Sequence, residues 1–82
     1  MKLRKHMISR VLPDSIAEEL GLEPGDRLVS VNGQPVEDVF DYRYLMNEEL
    51  VVLLVEKPDG EEWELEIENG YEDPGITFEN GL

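Results

Sequence analysis

Eighty-two residues make room for one domain with one modest core, and 40% apolar content is too high for a wholly disordered chain. Twenty acidic against seven basic residues leave a net charge of −13, which opposes nucleic acid and anionic membrane because both need a positive surface. There is no cysteine, so these residues hold no disulfide, zinc–thiolate site or iron–sulfur ligand.

Residues 1–6 are basic but lack the apolar stretch of a signal peptide, and the longest apolar run, Leu50 to Val55, is far too short to span a membrane. A cytoplasmic, monomeric protein is the expectation. His6, the sole histidine, falls in a terminus expected to fray. Residues 7–12 read as a strand stopped by Pro13. Ser15 with Glu18 three residues on is a capping box, in which the hydroxyl accepts from the Glu18 N–H and the carboxylate reaches back to the Ser15 N–H. The short helix it opens, 15–20, carries Ile16, Ala17 and Leu20 at helical spacing and ends at Gly21. Pro24-Gly25 suits the corners of a type II turn, a strand follows over 27–31, and Asn32-Gly33 is a strong turn dipeptide.

After a short extended piece over 34–36, Asp38 is placed to cap a second helix running to about Asn47. Val39, Tyr42, Arg43 and Met46 share one face of it, and Phe40, Tyr44 and Asn47 another. Residues 50–57 form a continuous apolar strand of the kind buried on both faces. The Pro58-Asp59-Gly60 turn leads into a strand over 62–68, where Glu62, Glu64, Glu66 and Glu68 alternate with Trp63, Leu65 and Ile67. Trp63 is expected in the core. The glutamate row is expected to face water and blunt pairing with other chains. The tail, 69–82, holds Gly75-Ile76-Thr77-Phe78.

The run from Gly21 to Gly33, GLEPGDRLVSVNG, resembles the PDZ pattern of Gly-Leu, then Gly-Asp, two apolar residues and Val-Asn-Gly, especially as found in bacterial PDZ domains. Gly75-Ile76-Thr77-Phe78 is similar to the opening of the PDZ ligand-binding strand, here at the far end of the chain, so the resemblance is to a circularly permuted PDZ domain. It implies an α+β fold, a partly open β-barrel or sandwich of about five strands with two helices. It also implies a non-catalytic interaction module, its groove lying between the 76–78 strand and the 38–47 helix. The segments SIAEELGLEPGD, Asp41-Tyr42-Arg43-Tyr44-Leu45 and Gly75–Glu79 are further similar to a family in which a PDZ-like domain precedes a radical-SAM-type iron–sulfur domain and a C-terminal domain of unknown function. That likeness implies an N-terminal domain of a longer chain, itself binding no S-adenosylmethionine, cluster or other cofactor.

Carried over residue by residue, the resemblance assigns a carboxylate-binding loop to Asp73-Pro74-Gly75-Ile76, with Gly75 and Ile76 as N–H donors and Thr77 and Phe78 continuing the pairing edge. Val39, Tyr42, Arg43 and Met46 would wall the side-chain pocket. Pro74 has no N–H to donate, and Glu72 and Asp73 put negative charge where a carboxylate would sit. Three readings follow: docking of another domain or internal strand, most directly from the same chain; capture of free C-terminal peptides; and a purely structural domain. No catalytic residue is assigned, because Ser15 is explained as a cap and no thiol is available. No metal ligand is assigned either, since Glu66, Glu68, Glu72 and Asp73 lack an EF-hand spacing and an acidic run is ordinarily a solvated face.

Overall fold

The computed structural model describes residues 5–68 and 72–79; the basic stretch 1–4, residues 69–71 and the end of the tail, 80–82, lie outside the described residues. The chain runs β1 (His6–Val11), α1 (Ile16–Glu19), β2 (Arg27–Val31), β3 (Gln34–Pro35), α2 (Val39–Met46), β4 (Leu50–Glu56), β5 (Glu62–Glu68) and β6 (Ile76–Phe78). Turn chemistry sets these boundaries. Gly21, Gly25, Gly33 and Gly60 all adopt positive φ, and Asn32 joins Gly33 with φ of 51°, giving the two left-handed residues that a tight hairpin between β2 and β3 needs. Asn32 also binds β4: its N–H donates to the Val52 carbonyl at 2.7 Å and its Oδ1 accepts the Val52 N–H at 2.8 Å.

Both helices are capped by the expected residues. Ser15 Oγ accepts the Glu18 N–H at 3.2 Å, and Asp38 Oδ1 accepts the Asp41 N–H at 2.9 Å. The return half of the first box differs: Glu18 Oε1 accepts from the Asp14 N–H at 3.1 Å, one residue earlier than expected. Asp14 sits at φ of 60°, which turns its amide toward the helix.

The strands form one open antiparallel sheet in the order β5-β4-β2-β1-β6, with β3 paired to β2. This is an α+β, PDZ-like architecture with six strands, the sixth being the two-residue β3. One face carries the core: Ile8, Leu28, Val31, Val51, Leu53, Val55, Ile67 and Phe78, closed by Ala17 from α1, Met46 from α2 and Val36.

Three expectations are corrected. His6 does not fray: it opens β1 opposite Leu28, is 1% exposed, and its Nε2 lies 2.6 Å from the Val36 carbonyl oxygen. A carbonyl only accepts, so Nε2 carries the proton. β4 is fully buried on one face only; Val51, Leu53 and Val55 face the core, whereas Val52 and Leu54 are half-buried opposite Glu66 and Glu64. An open sheet covered on one face leaves its other face partly wet. Trp63 is half-buried at the hairpin end of β5 rather than in the core. Its ring lies 4.4 Å from the Lys57 ammonium, and its Nε1–H donates to Glu61 at 2.6 Å. Below it, Lys57 Nζ meets Asp26 Oδ2 at 2.6 Å, and Asp26 has no exposed surface. The indole therefore covers the ammonium of a partly buried ion pair, an arrangement that favours cation–π contact.

Candidate peptide-binding site

β6 ends the sheet, and among the described residues nothing pairs with its outer side. Its inner side is bonded to β1: the Leu12 N–H donates to the Gly75 carbonyl at 2.9 Å, and Arg10 stands opposite Thr77. Antiparallel pairing alternates, so the N–H and carbonyl of Ile76, opposite Val11, point away from β1 toward the open side. A bulge between Ile8 and Arg10 interrupts the ladder, and Ser9 Oγ donates across it to the Thr77 carbonyl at 3.2 Å. Such bulges bend an edge locally.

The loop before β6 is held by α1. The Ala17 N–H donates to the Pro74 carbonyl at 2.9 Å, so a residue unable to donate still anchors the loop. Gly75 is buried at φ of 85°, and a Cβ there would sit 2.4 Å from that of Ser15. Only glycine fits. Its N–H is already given to Asp73 Oδ1 at 2.9 Å. Of the two expected donors, Gly75 is thus satisfied within the loop and Ile76 faces the open side. Sequence reasoning missed this Asx turn, although Asp two residues before Gly is its usual signal.

α2 lies against β6 through Tyr42, whose ring meets Phe78 edge to face at 5.3 Å. Phe78 also meets His6 edge to face at 6.3 Å, so three rings pack behind the edge. Burial, and then the charge of Asp73, push the Tyr42 hydroxyl well above its ordinary pKa. Of the other assigned residues, Val39 is half-buried, Arg43 is exposed, Met46 is a core residue at 5% exposure, Ile76 is half-buried and Thr77 is exposed. The structure brings Tyr42 and Phe78 together; Met46 offers its surface to the core and Arg43 to solvent.

Among the described residues no three His, Asp or Glu side chains are arranged to hold a metal ion, and no helix is long and apolar enough to cross a membrane. An open strand edge flanked by a helix is the geometry of β-augmentation, in which a ligand adds a strand and backbone bonds supply the affinity. A family model described as PDZ domain matches residues 7–57, and the chain belongs to that family. A protein of Rhizobium meliloti (strain 1021) that bears the name of a zinc metalloprotease is 46% identical over 37 residues, 45% of this chain. The match spans 10% of that much longer relative. The PDZ domain is a protein-interaction module, and this chain carries one.

Proposed function

We infer that the domain docks an internal, extended segment of protein along β6, beside α2, in preference to a free C-terminus. The observation that carries this reading is the bond from the Gly75 N–H to Asp73 Oδ1, at 2.9 Å. With Pro74 lacking an N–H, Ile76 is left as the outward donor among residues 74–76. A terminal carboxylate there would also face the charges of Asp73 and Glu72, each costing about 1 kcal/mol in water and several times that when partly desolvated. An internal strand needs no carboxylate cradle, only the open edge.

The docked segment comes from another domain of the full-length chain. The likeness of residues 15–26, 41–45 and 75–79 to the PDZ-like domain of radical-SAM-type iron–sulfur proteins supports that setting. The Rhizobium relative supports the same arrangement with a different neighbour, since its matching stretch is a small part of a protein named for zinc-dependent proteolysis. In both settings this domain recognises and the neighbour carries out chemistry.

Titration of the labelled domain with short peptides, each as free acid and as amide, tests the reading by NMR chemical shifts. Saturable shifts at Ile76, Thr77 and the Val39–Arg43 side of α2 that survive amidation are expected. Shifts lost on amidation would establish carboxylate capture and overturn it.

A further inference from the structure

The outward face of α2 carries a second surface that the β6 edge does not use. Phe40 and Tyr44 are 76% and 80% exposed, the two most exposed of the large apolar side chains among the described residues. They lie four residues apart, one above the other on one face. Tyr42, Leu45 and Met46 turn the opposite face to the core, so these rings point away from it. Two aromatics held one turn apart on a rigid helix are costly to leave in water, each being able to bury about 150–250 Å².

We propose that Phe40 and Tyr44 form a docking site for a basic amphipathic helix of a partner protein or domain. The charge around the pair selects the occupant. Within residues 38–49 the acids Asp38, Asp41, Glu48 and Glu49 stand against the one base Arg43, and Glu48 and Glu49, just past the helix, are exposed. A second copy of this chain is disfavoured, because each copy brings a net charge of −13. A helix with an apolar stripe flanked by Lys and Arg satisfies both features. Its stripe covers the rings at matching spacing, since four residues rise about 6 Å on either helix. Its ammonium and guanidinium groups meet the glutamates and the aromatic faces.

The probe is a synthetic peptide of Leu and Lys, about 14 residues or four turns long, with Leu at helical spacing. Two controls accompany it: the same composition with strictly alternating Leu and Lys, and a version with Glu for Lys. NMR titration is expected to show saturable shifts on α2 with the first peptide only. The double variant Phe40→Ser/Tyr44→Ser should weaken binding at least roughly tenfold, as for removal of aromatic anchors. Both positions are exposed, so the remaining amide spectrum should be unchanged. Glu48→Lys/Glu49→Lys keeps the rings and should weaken binding as well. Binding that the Ser variant leaves intact, or that maps to Glu62–Glu68, would reduce the effect to generic charge and overturn the proposal. Equal binding of the Glu peptide, no binding by the first peptide, or shifts that depend on protein concentration alone would overturn it too, the last in favour of self-association.

Discussion

The two edges of the sheet are opposites. β5 is seven residues long, and its outward row, Glu62, Glu64, Glu66 and Glu68, is exposed along its whole length. β6 is three residues long, carries no charge, and is backed by the rings of Phe78, Tyr42 and His6. Both edges offer backbone donors and acceptors, so hydrogen-bonding capacity does not distinguish them. Charge does: a strand approaching β5 meets four carboxylates, and one approaching β6 beyond Asp73 meets none on the strand itself. One domain thereby keeps one edge open and the other closed.

The largest effect should come from the support of the open edge. Phe78→Ala removes a ring that is 3% exposed and should cost about 3–5 kcal/mol. Since small domains hold only about 5–15 kcal/mol in total, urea unfolding should show a midpoint shifted far down or no folded baseline. A loss below about 1 kcal/mol would mean that the ring is dispensable and the edge supports itself.

Gly75→Ala comes next, because it forces a side chain into a left-handed residue and against Ser15. A cost of about 1–3 kcal/mol is expected, with amide shifts in α1 as well as β6, because Pro74 ties the loop to Ala17. Shifts confined to β6 would argue against that tie.

Asp73→Asn retains an oxygen to accept the Gly75 N–H and removes the charge. Affinity for free-acid peptides should then rise about fivefold, matching about 1 kcal/mol of relieved repulsion, with amidated peptides unaffected. An unchanged ratio of acid to amide binding would show that the charge does not set the preference. At the other edge, Glu64→Thr/Glu66→Val should leave thermal stability within about 0.5 kcal/mol while making the protein associate with rising concentration in sedimentation. A variant that stays monomeric would show that the glutamates are not what closes β5.

The smallest effect belongs to Glu56 at the turn end of β4. A hydrogen bond from Lys5, then their charge attraction and the contacts of Arg27, hold its pKa below the ordinary value despite an opposing effect of burial. Its stabilising contribution is therefore present above the ordinary carboxylate pKa and lost as pH falls through the lowered one. Glu56→Gln should flatten the acid limb of the stability curve slightly, and added salt should do the same.

Local chemistry was legible. Ser15, Asp38, Asn32-Gly33 and Pro24-Gly25 act on backbone within a few residues, so their turns and caps can be read without knowing what lies across the fold. Strand alternation in 62–68 was legible for the same reason, since the period of two is a property of the strand. Tertiary structure alone decided the partners. His6 is buried because β1 brings it under β6 and beside Val36, thirty residues away. Trp63 stands opposite the buried Val55 but at the hairpin end of β5, where its ring meets the Lys57 ammonium instead of the core. Gly75, expected as a donor, proved already satisfied once the loop folded against α1. Propensity and periodicity are local and additive along the chain; burial, register and the use of each N–H depend on what arrives from elsewhere, and here that decides which edge is open.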